Sequence, residues 1–135
     1  MDAGYVLRRL PVALFAGLVS SGCVVAAAGA GAGAGIYYTS QGVESVVDAS
    51  VDATFAAAER AFRHFEIEQT SMKVEEGGAK RELEGKSESA DVDVKVKFER
   101  QGESTYIEVT ARESLVEWDK DFARAIVAKI VELAH

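Results

Sequence analysis

The stretch DVDVKVKFERQGESTYIEVTAR, residues 91–112, decides the fold predicted for this chain. In its first half every second residue is apolar, and charged residues stand between them, which is the pattern of a strand buried on one face. Gln101-Gly102-Glu103 predicts a hairpin turn, and a second alternating segment follows it. The stretch therefore predicts two antiparallel strands. The core-side residues are Val92, Val94, Val96, Phe98, Thr105, Ile107, Val109 and Ala111.

One helix is predicted on each side of this hairpin. Apolar residues recur at spacings of three and four from Val51 to Phe65, which is one stripe of a helix, and Asp48 or Ser50 can cap it. The final helix is expected from Asp119 to Leu133, with Asp119 as its cap. The stripe residues are Val51, Phe55, Ala58, Phe62 and Phe65 in the first helix, and Phe122, Ile126, Ile130 and Leu133 in the second.

Three further strands complete the predicted fold. Residues 42–50 are rich in β-branched side chains and form the first strand, whereas residues 66–74 alternate imperfectly and predict a bulge. Residues 79–86 are polar around Leu83, so we expect this strand near an edge of the sheet. The sequence thus predicts an α+β fold in the order strand, helix, strands, helix. Its antiparallel sheet has about four or five strands, with two helices on one face.

Length and charge limit the classes of function. The chain has 135 residues, a net charge of −7 and a single cysteine, Cys23, so no disulfide can form within it. An acidic chain lacks the clustered Lys and Arg that bind nucleic acid. Anionic lipid would not attract it by charge either. We therefore expect no nucleic-acid partner.

The first 23 residues have the organisation of a secretory signal. Arg8 and Arg9 precede an apolar run of about ten residues, and the small residues Ser20, Ser21 and Gly22 lead to Cys23. This segment resembles a bacterial lipobox, with Ser20 where leucine is usual. The resemblance implies that the peptide is cut before Cys23, whose thiol receives a diacylglyceryl group and whose new amino group is acylated.

Two other readings of this segment stay open. The uncharged stretch from Leu10 to Val43 is long enough for an uncleaved transmembrane helix, although alternating glycines weaken that reading. Cys23 can also be incidental beside an ordinary secretory cleavage site. In the lipoprotein reading, Val24 stands where an aspartate commonly marks retention in the inner membrane, so we expect the outer membrane.

These features divide the chain into three parts. Residues 1–22 are expected to be a lipoprotein signal peptide, and residues 23–41 a lipidated cysteine with a Gly/Ala-rich spacer. Residues 42–135 are expected to form a periplasmic α+β domain. As flexible coil, the dozen residues after Cys23 would span about 20 Å. The mature chain would carry 13 positive and 21 negative side chains, a net charge of about −8.

The whole chain resembles the small bacterial lipoproteins classed as domain of unknown function 3568. The lipobox, the Gly/Ala linker, the helix TFAAAERAFRHFEIE, the hairpin and the closing helix FARAIVAKIVEL carry the resemblance. Members often have a glycine-aspartate turn before the last helix, whereas this chain has Glu117-Trp118-Asp119. The family has no assigned activity, so the resemblance implies none.

No catalytic residues, metal ligands or cofactor are predicted. His64 lies near the edge of the first helical stripe and His135 ends the sequence, and two histidines without nearby cysteines do not form a usual zinc pattern. The acidic stretch EGKSESADVD lacks the ligand spacing of a calcium loop. The string GAGAGAG has neither the preceding strand nor the following lysine of a phosphate loop.

Three aromatic residues are candidates for an interface. Tyr37 and Tyr38 lie where the spacer meets the domain, and they suit either a lipid–water boundary or packing on the first strand. Trp118, in the last loop, is either an anchor for a partner or a lid over the core, and the lid is favoured.

The sequence therefore predicts a non-enzymatic envelope lipoprotein. Acyl chains on Cys23 would hold it in the outer membrane, facing the periplasm. Its domain would contact a protein partner through the exposed sheet face, an edge strand or the Trp118 loop. A carrier for a small apolar ligand is the alternative, since a helix on a curved sheet can leave an apolar cleft. An enzyme would need a deep pocket that joins His64 to several carboxylates.

Overall fold

The computed structural model describes residues 35–135. The predicted signal peptide, Cys23 and most of the spacer lie outside the described residues. Six strands and two α-helices follow one another along the described chain. They are β1 (Ile36–Tyr38), β2 (Gly42–Val47), α1 (Val51–His64), β3 (Ile67–Glu75), β4 (Lys80–Ser87), β5 (Val92–Gln101), β6 (Ser104–Arg112) and α2 (Lys120–Leu133).

The strands form one antiparallel sheet in the order β1-β2-β6-β5-β4-β3. The α+β class and the order of elements agree with the sequence prediction, but the sheet has six strands rather than four or five. The additional strand is β1, which pairs Ile36 with Ser45 and Tyr38 with Val43. Its three residues follow the Gly/Ala-rich stretch, and so short a segment has no readable alternation.

The β5–β6 hairpin is confirmed residue by residue. Phe98 lies opposite Ile107 and Val96 opposite Val109, and Gln101 pairs with Ser104 across a two-residue loop. Gly102 has a φ of +66°, a conformation that residues with a Cβ rarely adopt. A glycine at this turn therefore allows the tight reversal on which the hairpin register depends.

Strands β3 and β4 agree with expectation. The predicted bulge is present between Gln69 and Ser71. β4 lies near an edge of the sheet, as predicted, with β3 as the edge strand beside it. The polar appearance of β4 has a packing reason, because a Cβ at Gly85 would lie 2.7 Å from the Phe62 ring and 2.6 Å from Ile67 Cγ2. The strand needs a small residue where α1 packs against it.

Both helices begin at a side-chain cap. Ser50 Oγ accepts a hydrogen bond from the backbone N–H of Ala53 (3.1 Å), so Ser50 rather than Asp48 caps α1. Asp119 Oδ1 accepts from the N–H of Phe122 (2.9 Å) and caps α2, as predicted. Each cap satisfies a backbone donor that the first helical turn leaves unpaired. Among residues 35–135, neither helix has the length and apolar character required to cross a bilayer.

One hydrophobic core lies between the helices and the sheet. It joins Phe55 and Phe62 of α1, Ile126 and Ile130 of α2, and the inner side of the strands, and these side chains are at most 7% exposed. Both helices therefore cover the same face, as the sequence predicted. Within residues 35–135, no helix covers the opposite side of the sheet, which we call the outer face and which carries the alternate, mostly polar residues of the strands.

Candidate functional site

From β3 to β6, the outer face carries alternating charges that match from strand to strand. Acidic and basic side chains stand opposite each other across the ladders, where directly opposed residues are close enough to interact. Each exposed pair contributes about 0–1 kcal/mol, so these pairs position the side chains more than they stabilise the fold. Three pairs close within ion-pair distance: Lys95–Glu84 at 3.3 Å, Lys80–Glu99 at 3.4 Å and Lys73–Glu82 at 3.6 Å.

Lys97 stands at the centre of this face. The register places it between Glu82 of β4 and Glu108 of β6. Glu82 already pairs with Lys73, and no ion pair involves Lys97 within the part of the chain that the structure describes. Lys97 is exposed and lines both grooves of the outer face. Its ammonium group is therefore available to an anionic group of a partner.

A groove of about 370 Å³ lies on the outer face beside the last loop. Both carboxylates and cations line it, two threonine hydroxyls and a glutamine amide add neutral groups, and Trp118 also lines it. Such a lining suits a polar ligand that presents both charges rather than an apolar one. The lining includes Gln41, Glu84, Lys95, Lys97, Glu108, Thr110, Arg112 and Trp118.

The placement of Trp118 corrects one expectation. Trp118 does not pack against the core, so the prediction that it covers the core is wrong. A β-bridge pairs it with Arg112, whose neighbour Ala111 faces inward, and paired residues share a face. The Arg112 guanidinium lies 5.7 Å from the centre of the indole ring. Trp118 is therefore at the outer face, and its role as an anchor for a partner stays a prediction.

A smaller groove of about 260 Å³ lies at the other end of the outer face. There Tyr106 donates a hydrogen bond to Glu44 Oε2 (2.7 Å), and its burial, followed by that bond, raises the pKa of Tyr106. Ion pairs first with Glu76 (3.2 Å) and then with Glu99 (3.4 Å) raise the pKa of Lys80. Both groups are therefore protonated and fixed at neutral pH.

The two tyrosines lie on β1 but remain exposed. Tyr37 pairs with Glu44 and is 61% exposed, and Tyr38 pairs with Val43 and is 55% exposed. The backbone thus joins the first predicted strand, as one of the two readings proposed. More than half of each ring is accessible, which keeps both residues as interface candidates.

The other predicted site residues are not brought together. His64 ends α1 with its ring against Phe65 (4.8 Å between centres), and His135 lies at the exposed end of the sequence. Among residues 35–135, no three His, Cys, Asp or Glu side chains are grouped as a metal site would require. Ser20, Ser21, Gly22 and Cys23 lie outside the described residues, so lipidation stays a prediction.

Sequence reasoning missed the grooves although it placed several of their residues correctly. The alternation of β5 and β6 puts Lys95, Lys97 and Glu108 on the wet face, and we expected nothing more than solvation there. The larger groove extends from β4 on one side to Gln41 and Trp118 on the other. Only the sheet order brings these segments together.

Comparison with known families matches nearly the whole chain. A family model described as "Protein of unknown function (DUF3568)" matches residues 6–132. No curated protein matches significantly. The match includes the hairpin, both helices and the loop that carries Trp118. The chain therefore belongs to the DUF3568 family, whose function is not known.

Proposed function

We propose that this protein is a membrane-anchored, non-catalytic binding module of the bacterial cell envelope. The observation that carries the proposal is the lone cysteine, Cys23, which follows an apolar run and Gly22 and precedes a Gly/Ala spacer. Two or more acyl chains at such a cysteine make membrane attachment stable, whereas one chain holds a protein only marginally. Val24 favours the outer membrane, with the domain facing the periplasm.

The outer face supports the binding part of the proposal. Lys97, Glu108 and Arg112 line the larger groove, and ion pairs on the neighbouring strands hold the surrounding side chains in place. Ordered side chains lose less conformational entropy when a ligand binds. We propose that a polar component of the envelope, with both acidic and basic groups, binds across this face.

A non-catalytic role agrees with the chemistry of the described residues. Catalysis usually requires a nucleophile or acid paired with a base that a third group orients. Neither His64 nor His135 makes a hydrogen bond or ion pair to another side chain in the described part of the chain. Most carboxylates of the outer face stand opposite a basic side chain, and Glu44, which stands opposite Glu108, accepts a hydrogen bond from Tyr106. This arrangement suits the binding of charged groups.

The alternative role, a carrier of small apolar ligands, has no specific observation in its favour. Such a carrier needs an apolar cavity, usually of about 300 Å³ or more. The helix–sheet interface is filled by side chains that are at most 7% exposed. Both grooves described above are lined largely by charged residues. Native mass spectrometry of protein from its host would reveal a bound apolar molecule, which would favour the carrier.

The membrane anchor is tested by the intact mass of protein extracted from membranes of its bacterial host. We expect a chain that begins at Cys23 and carries the mass of two or three acyl groups. The Cys23→Ala variant should keep residues 1–22 and carry no lipid. A wild-type chain that retains residues 1–22 without any lipid would contradict the proposal.

The binding surface is tested by photo-crosslinking in intact cells. A crosslinking amino acid at Thr110 lies in the larger groove, and one at Arg124, exposed on α2, serves as the matched control. We expect a defined adduct from Thr110 and none from Arg124, with a several-fold loss of adduct in Lys97→Glu. Equal adducts from both positions, or none from Thr110, would show that the groove is not the contact.

A further inference from the structure

The loop between β6 and α2, residues 113–119, presents two adjacent aliphatic side chains to solvent. Leu115 is 87% exposed and Val116 is 81% exposed, whereas the other exposed large hydrophobic residues in the described part of the chain range from 51% to 61%. A single exposed aliphatic residue is ordinary on a protein surface. Two neighbouring aliphatic side chains at almost full exposure form a small apolar patch at the tip of the loop. Nothing in the described domain covers this patch.

Hydrogen bonds hold this loop in a defined shape. The backbone N–H of Glu113 donates to the carbonyl of Glu117 (2.9 Å), which closes the loop at its base. Ser114 Oγ accepts from the N–H of Val116 (3.3 Å) and of Glu117 (3.2 Å). The tip is therefore held away from the core, and binding through it requires little further ordering.

The loop shares one end of the sheet with the turn that follows β1. Gln41, in that turn, lines the same groove as Trp118, in the loop. Tyr38, which immediately precedes the turn, is 55% exposed. This end of the domain thus combines two exposed aliphatic side chains with an aromatic ring of the type that favours the boundary between lipid and water.

The chain length before β1 limits how far this end can lie from a membrane. Twelve residue steps separate Cys23 from Gly35, so the chain between them spans at most about 40 Å when fully extended. A domain of about 100 residues has a radius of gyration of about 13 Å. An anchor at Cys23 would therefore hold the domain within little more than its own diameter of the bilayer. A tether this short gives the domain an effective concentration at the membrane surface on the order of millimolar.

From these observations we infer that the 113–119 loop is a membrane contact. Leu115 and Val116 insert among the headgroups of the leaflet that holds the acyl chains of Cys23. The inference rests on the anchor proposed above. Glu113 and Glu117 flank the tip, and residues 35–135 carry a net charge of −8, so the loop selects zwitterionic rather than anionic headgroups.

A single-thiol label tests the contact in the full acylated protein. Cys23 is the only cysteine, and acylation blocks its thiol, so Val116→Cys introduces the only free thiol. Met72→Cys is the matched control, because Met72 is 51% exposed on β3, at the opposite edge of the sheet from β1. Each variant is labelled with an environment-sensitive fluorophore and reconstituted into phosphatidylcholine vesicles with nitroxide-labelled acyl chains.

We expect nitroxide quenching at position 116 to exceed that at position 72 several-fold. Leu115→Glu should reduce quenching at position 116 to the level of the control, and so should replacing a third of the lipid with an anionic phospholipid. Equal quenching at positions 116 and 72 in an acylated sample overturns the loop contact alone, and would assign the tip to a protein partner. Stronger quenching in anionic vesicles overturns the headgroup selectivity.

The intact mass of the same sample separates the two proposals. A sample without acyl groups overturns the anchor and, with it, the membrane contact of the loop. An acylated sample without quenching at position 116 leaves the anchor in place.

Discussion

At the scale of single residues, two small features decide how closely the layers approach. Gly85 lies beneath α1, where a Cβ would come within 2.8 Å of the Glu68 carbonyl as well as of two side chains. On the outer face the requirement is for a large side chain instead. The Tyr106 ring covers the sheet there, and its hydroxyl donates a hydrogen bond to Glu44 (2.7 Å). Each is a local requirement of packing that the residue type alone does not reveal.

Gly85→Ala should lower the free energy of unfolding by about 1–3 kcal/mol, because the added methyl group overpacks the core against Phe62 and Ile67. Urea denaturation measures this change. Gln69→Ala is the control, since Gln69 pairs with Gly85 on β3 but is exposed, and it should change stability by less than about 0.5 kcal/mol. An unchanged midpoint for Gly85→Ala would show that α1 can move away from the sheet.

The raised pKa values of Tyr106 and Lys80 predict a loss of stability at alkaline pH. A group whose pKa is higher in the folded state stabilises the fold fully below its unfolded pKa, about 10 for both residue types, and loses this effect as pH rises through the folded value. Stability should therefore fall above about pH 10. Tyr106→Phe should flatten that decline, as measured by denaturant unfolding between pH 8 and pH 11. An equal slope in both proteins would contradict the role of Tyr106.

At the scale of secondary-structure elements, the helices are specified locally and the sheet is not. Ser50 and Asp119 begin α1 and α2 with side-chain hydrogen bonds to backbone N–H groups three residues ahead. Each helix is then stabilised when its apolar stripe packs against an apolar surface, whichever strands provide that surface. By contrast, β4 becomes an interior strand only because β3 and β5 both pair with it.

Replacement of the two candidate caps of α1 should distinguish them clearly. Ser50→Ala should cost about 1 kcal/mol of stability, because it removes the acceptor for the Ala53 N–H. Asp48→Ala should change stability by less than about 0.5 kcal/mol. Thermal unfolding followed by circular dichroism measures both variants. A larger loss in Asp48→Ala would mean that the helix begins earlier than the structure shows.

At the scale of the whole molecule, residues 35–135 have one core and two unlike faces. The helices cover one side of the sheet, whereas the outer side stays polar and ion-paired. A domain of about 100 residues is stable by only about 5–15 kcal/mol. The inner side therefore supplies the stability, and the outer side can carry binding groups at little cost.

Phe62→Ala should cost about 3–5 kcal/mol, since Phe62 is only 2% exposed between α1 and the sheet. Because one core supports both layers, the loss should appear in a single transition. Fluorescence of Trp118, the only tryptophan, reports on the outer face, and far-ultraviolet circular dichroism reports on the helices and sheet. The two unfolding curves should coincide in wild type and variant. Separate midpoints would show that the outer face unfolds independently of the core.

Periodicity and capping chemistry predicted much of this fold. The hairpin of residues 91–112, the stripe of α1, the Asp119 cap and the bulge in β3 all follow from residues close together in sequence, because local side-chain spacing determines them. The outward positions of Lys95, Lys97 and Glu108 were predictable for the same reason. The sequence also predicts the lipidation of Cys23, which awaits its test.

Only the tertiary structure decided the sheet order, the strand β1 and the grooves of the outer face. The three residues of β1 are a strand because β2 offers a free edge, and β4 is interior because of its partners. Trp118 belongs to the outer face because a bridge pairs it with Arg112, the last residue of β6. Each of these features depends on contacts between distant segments, and single-chain periodicity carries no information about which segments become neighbours.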